Sequence, residues 1–225
     1  MKKILMTLAL AAAVLGLGAG SALANANLYV AHGIPGVDVD VYVNYTAGAE
    51  PNLPGFMFTQ IVGPVELPQG DYVVDIFVAG SDPEVDDPVL SATLGLVDGQ
   101  NITAVAHLDA AGAPTVSTFG LDLRETGDNA TRLGVRHTAA APAVDVVIEN
   151  GRYVFRDRDA AQARISFNNG AGASTDLPQG TYDIFLTLPG TSGRIFPADA
   201  PLTLPLEEDK IYYAYAVGVF PDTFQ

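Results

Sequence analysis

The chain has 225 residues, 26 Asp and Glu against 11 Lys and Arg, a formal net charge of −15 and no cysteine. Without cysteine there can be no disulfides, no thiolate metal sites, no cysteine nucleophile and no lipidated cysteine. The acidic balance argues against nucleic acid and anionic lipid as partners, because both draw their binding free energy from lysine and arginine displacing counterions.

Residues 1–24 read as an export signal. Lys2 and Lys3 open it, Ile4 to Leu17 form an apolar run, and Ala22-Leu23-Ala24 supplies a small-residue cleavage site. The run is shorter than the roughly 20 apolar residues that span a bilayer, so a cleaved signal is favoured over an anchor. No twin-arginine pair precedes it, which points to the general secretory route. Cleavage after Ala24 removes two lysines and leaves a mature chain two units more negative, with no further apolar span. The expected location is the periplasm, the cell surface or the medium.

Self-similarity organises the remainder. Leu28-Tyr29-Val30-Ala31-His32 matches Leu133-Gly134-Val135-Arg136-His137 at an offset of 105 residues. Pro35-Gly36-Val37-Asp38-Val39 lines up with Pro142-Ala143-Val144-Asp145-Val146 at 107, implying two extra residues in the second copy between histidine and proline. Leu67-Pro68-Gln69-Gly70-Asp71-Tyr72 matches Leu177-Pro178-Gln179-Gly180-Thr181-Tyr182 at 110. The division predicted is repeat 1 at 25–123, a linker at 124–130 and repeat 2 at 131–225.

Within each copy the apolar period is two, the mark of a half-buried strand. Val37, Val39, Val41 and Val43 share one face, while Asp38, Asp40, Tyr42 and Asn44 form a wet one. Tyr72, Val74, Ile76 and Val78 repeat the pattern, as do Tyr182, Ile184, Leu186 and Leu188. Leu-Pro-Gln-Gly supplies a proline corner and a glycine for positive φ, which reads as a hairpin corner before a tyrosine-led strand. Asp98-Gly99 is a tight-turn signal, with Glu207 to Lys210 in the equivalent place. Thr115 to Leu121 reads as the last strand of repeat 1. Asp157 to Arg164 is the best helical candidate, and it is short. The fold predicted is all-β: two tandem immunoglobulin-like antiparallel sandwiches of six or seven strands each.

A strand ending in histidine, a proline loop, Val-Asp-Val and Leu-Pro-x-Gly-x-Tyr together resemble a bacterial domain family of unknown function, often found in tandem in exported and surface proteins. The resemblance rests on His32, Pro35, Val37 to Val39, Phe58 and Leu67 to Tyr72, and again on His137, Pro142, Val144 to Val146, Phe167 and Leu177 to Tyr182. It implies an immunoglobulin-like sandwich outside the cytoplasm and no activity. Gly33-Ile34, shorter than the family's usual polar loop, and Arg152 to Arg164, which lacks its compact turn, depart from the pattern.

Few side chains invite chemistry. His32 and His137 recur at one place, with Asp38 and Asp145 following, and a metal or catalytic role would need such partners to converge. The structural alternative, histidines bonded to loop backbone, is favoured. His107 has no counterpart, Val217 standing in its place, and reads as incidental. There is no G-x-S-x-G elbow for a serine hydrolase. Asp82, Glu84, Asp86 and Asp87 offer hard oxygen ligands without the spacing of a known calcium loop. Tyr212, Tyr213 and Tyr215 could form a ligand platform, against which core packing or interdomain contact is the commoner explanation. Arg152, Arg156, Arg158 and Arg164 are the one basic concentration, read as a solvated loop or a contact with a partner or the other domain. Asn-x-Thr triplets at Asn44, Asn101 and Asn129 match the glycosylation pattern, with chance the simpler reading.

No catalytic, cofactor or metal residue is assigned. The expectation is a non-catalytic exported module that binds a protein or glycan or acts as a spacer. The alternatives are a secreted hydrolase or metal-dependent enzyme using the histidines, and a calcium-stabilised adhesin.

Overall fold

A computed structural model of the chain describes residues 24–149, 154–155 and 170–225. Residues 1–23 of the expected export signal (1–24), the helical candidate at Asp157 to Arg164, Phe167 and the four arginines at 152, 156, 158 and 164 lie outside the described residues. All regular elements among the described residues are strands. No helix there is long and apolar enough to cross a membrane.

The first eight strands are β1 (Ala26–His32), β2 (Val39–Val43), β3 (Leu53–Phe56), β4 (Ile61–Leu67), β5 (Gly70–Val78), β6 (Leu90–Leu96), β7 (Asn101–Leu108) and β8 (Pro114–Gly120). They form two sheets, ordered β4-β1-β7-β8 and β3-β2-β5-β6. Alternate residues of both sheets meet in one core: Leu28, Ile102 and Ala104 from the first, Val39, Val41, Val74, Ile76 and Leu94 from the second. Each buried valine or leucine contributes roughly 1.5–3 kcal/mol relative to exposure, enough to hold the predicted valine face inward.

The remaining strands are β9 (Ala130–His137), β10 (Asp145–Glu149), β11 (Val154–Phe155), β12 (Ala171–Pro178), β13 (Gly180–Thr187), β14 (Arg194–Phe196), β15 (Leu202–Leu206) and β16 (Ile211–Ala216). They form sheets ordered β12-β9-β16 and β11-β10-β13-β14, with β15 also on β13. Leu133, Ile148, Leu177, Tyr182 and Leu206 pack between the two sheets.

Three expectations change. The sheets are not wholly antiparallel: β1 runs parallel to β7, and β9 parallel to β16. In each pair the two strands become neighbours only after the chain has passed through the opposite sheet, so no tight hairpin constrains their direction. Leu-Pro-Gln-Gly is not a hairpin corner, since β4 and β5 belong to different sheets. It is a sheet-to-sheet corner, with Gly70 at φ 153° and the Tyr72 hydroxyl donating back to Pro68 O at 2.9 Å. Tyr182 does the same to Pro178 O at 2.8 Å. A tyrosine donating a few residues upstream at such a corner is a known sandwich device.

The third change is a register. Asp40 pairs opposite Phe77 and accepts from Gly80 N at 2.8 Å; Asp145 pairs opposite Thr187 and accepts from Gly190 N at 2.9 Å. Asp145 therefore corresponds to Asp40, not Asp38, and the offset stays at the 105 residues of the histidines. No two-residue insertion separates histidine from strand. Two consecutive Val-Asp-Val frames overlap at residues 37–41, and the strand uses the second.

Candidate functional site

His32 and His137 end β1 and β9, each only 1% exposed. His32 Nε2–H donates to Val37 O at 2.9 Å, and His137 Nε2–H donates to Pro142 O at 3.0 Å. Each carbonyl lies five residues on, so each ring pins the loop that carries the chain to the opposite sheet. His32 also stacks on Phe56, centroids 5.8 Å apart. With Nε2 donating, Nδ1 is the bare nitrogen, and it has no partner in either ring. Burial pulls both pKa values below the ordinary histidine value, opposed by the carbonyl bonds and, at His32, by Asp38.

His107 is not incidental. Wholly buried on β7, it donates through Nδ1 to Leu108 O at 2.9 Å and accepts at Nε2 from Ser117 Oγ at 2.8 Å. Burial lowers its pKa, and the nearby His137 lowers it further.

Asp40, Asp82 and Asp86 are also occupied. Asp40 takes two backbone N–H groups, Gly55 at 2.7 Å and Gly80 at 2.8 Å. Asp86 accepts from Asp82 N and Asp82 from Glu84 N, so the Asp82 to Asp87 cluster folds as a turn on its own backbone. Among the described residues no three His, Asp or Glu side chains converge as a metal set. Of the triplet asparagines, Asn44 accepts from Val73 N and Asn101 from Asn27 Nδ2, while Asn129 Oδ1 takes a longer contact from Gln179 at 3.4 Å. The expected wet face of β2 is partly covered, because Tyr42 is 5% exposed and packs edge-on against Tyr45 and Phe77.

The densest chemistry lies where the two halves of the chain meet, face to face, through β7 and β8 on one side and β9 and β16 on the other. The Tyr215 hydroxyl donates to Thr103 Oγ1 at 2.9 Å, and its ring joins Ala31, Val105 and Phe119. Tyr213 Oη accepts from Asp122 N at 2.7 Å. Tyr212, on the other face of β16, packs into its own sandwich. Arg136 reaches across: its guanidinium lies 5.3 Å from the Phe119 ring centroid and 5.0 Å from that of Tyr213. Its terminal nitrogens donate to Val135 O, Ala173 O and Gly120 O, and Nε has no partner. Only 5% exposed, it has its pKa lowered by desolvation, which the Tyr213 and Tyr215 rings oppose. Gly134 and Gly172 make room, since a Cβ at the first would strike the Tyr213 ring and at the second Cδ of Arg136.

At the linker Arg132 holds Asp176 in a two-pronged pair, 2.7 and 2.9 Å, and Asp122 at 3.0 Å. The side-chain bond from Arg124, with Arg132 adding, holds the Asp122 carboxyl well below the usual carboxylate range. The sequence reading missed Arg132 and Arg136. Two arginines on one face of a strand that otherwise carries apolar and small residues, in a chain poor in basic residues, was the available signal.

Residues 26–147, more than half of the chain and spanning all of β1–β9, match the family model described as Domain of unknown function (DUF4397). The chain belongs to the DUF4397 family. No curated protein matches it. Among solved structures, this DUF4397 chain is similar to the Bacillus anthracis TIE protein at 12% identity and a TM-score of 0.26. That alignment covers 86% of this chain and 50% of the other, so the chain spans half the length of that protein. A likeness at that score carries no argument.

Proposed function

We propose that this DUF4397 chain is an exported, non-catalytic module of two copies of one β-sandwich domain, 25–123 and 131–225, acting outside the cytoplasm to bind a protein or glycan or to space other parts of the envelope. The repeated tyrosine corners, histidine locks and aspartate–glycine bonds support two copies of one domain. The N-terminal pattern of basic residues, apolar run and Ala22-Leu23-Ala24 supports export.

One observation carries the non-catalytic reading: all three imidazoles are buried and bonded to neighbours in the fold rather than aimed at a shared reacting position. A general base must reach a substrate proton, and a metal ligand needs a free, convergent nitrogen. Thermal scanning of the exported protein with calcium, zinc and chelator tests it, because a ligand bound only to the native state raises the melting temperature by mass action. The expected result is no shift. A rise of several degrees with either metal, reversed by chelator, would replace this reading with a metal-dependent one.

A further inference from the structure

The two halves of the chain carry unequal charge. Every lysine and arginine after Lys3 lies at Arg124 or beyond, whereas half of the 26 acidic residues precede Arg124, so the first sandwich has acids and no lysine or arginine. Among the described residues the ion pairs gather at the linker, on Asp122 and Asp176, and none reaches the acids of β2, β5 or the loops beside them. The seam takes the outer face of the β4-β1-β7-β8 sheet. The outer face of β3-β2-β5-β6 therefore lies on the side of the first sandwich away from the second half.

That face has an aromatic floor. Tyr42 on β2 stands between Tyr45 and Phe77, edge-on to both, with ring centroids 5.3 and 5.5 Å apart. Asp75 lies opposite Tyr42 on β5, and Asp40 opposite Phe77. Asp40 is taken by Gly55 N and Gly80 N, which fixes the chain on either side of Tyr42, with Glu50 in one loop and Asp82 in the other. Burial first, then the nearby Asp40, Glu50, Tyr45 and Asp82, raise the Tyr42 phenol above its ordinary value, so it stays a neutral hydroxyl. Tyr42 is only 5% exposed, yet its hydroxyl makes no hydrogen bond in the fold, and unlike Arg136 Nε its oxygen is not sealed from the surface. The carboxylates around it only accept, so what the place lacks is a donor.

The second sandwich shows what the fold itself requires. Asp145 repeats the lock of Asp40, but Val147 stands in the place of Tyr42, Phe185 in that of Asp75 and Thr187 in that of Phe77. A sandwich of this kind is built without the hydroxyl and the carboxylates beside it, which belong to the first copy alone.

We propose that this face of the first sandwich binds an arginine-bearing segment of a partner protein, one guanidinium donating to the Tyr42 hydroxyl and held between Glu50 and Asp82. A guanidinium has only donors, forks onto carboxylates and packs on tyrosine rings. The negative field of a sandwich without lysine or arginine speeds the encounter and makes it salt-dependent. The inference deepens the reading of the chain as a binding module and rests on it.

The test is fluorescence anisotropy of the full chain with a labelled peptide of alternating arginine and serine, beside the same peptide carrying neutral citrulline for arginine. It is run at about 0.15 M salt, where screening over about 8 Å leaves only near charges effective. The arginine peptide should bind and the citrulline peptide should not. Tyr42→Phe removes a hydroxyl that the free fold does not use, so binding should weaken about tenfold at an unchanged melting temperature. Glu50→Gln, on an exposed side chain, should weaken it several-fold, while Glu66→Gln, the same loss of charge on β4 of the other sheet, should leave it unchanged. Absent binding, equal binding of the citrulline peptide, equal effects of the two glutamine variants, or full affinity in Tyr42→Phe would overturn the proposal. Self-association without peptide that Tyr42→Phe abolishes would also overturn it and assign the face to a second copy. None of these outcomes bears on the metal scan, so failure here is separable from failure of the non-catalytic reading.

Discussion

Replacing Phe119 with alanine tests whether the two sandwiches are fused or merely tethered. Phe119 is on the outward face of the first sandwich, outside its own core, yet it is only 8% exposed because Tyr215 and Arg136 of the second half cover it. If the halves were independent, the substitution would be a surface change costing within about 0.5 kcal/mol. As the seam stands, it removes a buried ring, at about 3–5 kcal/mol, and the face on which the guanidinium lies, at about 0.5–2 kcal/mol more. For a chain of this size each kcal/mol lowers Tm by roughly 2–4 °C, so a drop on the order of 10 °C is expected. Urea denaturation followed by tyrosine fluorescence, with the slope fitted separately, measures it. A loss under about 1 kcal/mol at unchanged slope would refute the fused seam.

Other expectations follow from single contacts. Asp40→Asn should cost about 1.5–3 kcal/mol in denaturant titrations, because one amide oxygen cannot replace a carboxylate that takes both Gly55 N and Gly80 N. Tyr182→Phe should cost about 1 kcal/mol, and Tyr72→Phe less, since Tyr182 is wholly buried and Tyr72 is not. Gly134→Ala should destabilise by displacing Tyr213, visible as lost Asp122 amide protection in exchange experiments. Stability should fall with acid: the three histidines have folded pKa values below the unfolded 6.5, so the unfolded chain binds protons first as pH drops through that value. The loss is at most about 1.4 kcal/mol per pH unit for each histidine until its folded pKa is passed, about 4 for all three. Urea midpoints between pH 7.5 and 5 should show it, and a flat profile would contradict the buried, neutral assignment.

Much of this was legible in the chain. The valine face of β2, the tyrosine-led β5 and β13 and the Thr115 to Leu121 strand follow from period-two burial, which is a local property. The histidines were visible as a repeat, and their loop-bonding role followed from their place at strand ends. What escaped the sequence is non-local. The overlapping Val-Asp-Val frames differ only in which aspartate meets a glycine N–H 40 residues away, so the pattern alone could not choose between them. A tight turn reads the same whether its strands pair or cross to opposite sheets, hence the mistaken hairpin corner. Burial of both faces of β7 was written in Asn-Ile-Thr-Ala-Val-Ala-His-Leu, which has no charged residue on either face, but it becomes meaningful only with β16 lying against it.

The central claim is that the seam makes one folding unit of two sandwiches, and calorimetry of the unmodified protein tests it most directly. One transition, with calorimetric and van't Hoff enthalpies equal, is the predicted result. Two resolved transitions, each with the enthalpy of half the chain, would contradict it.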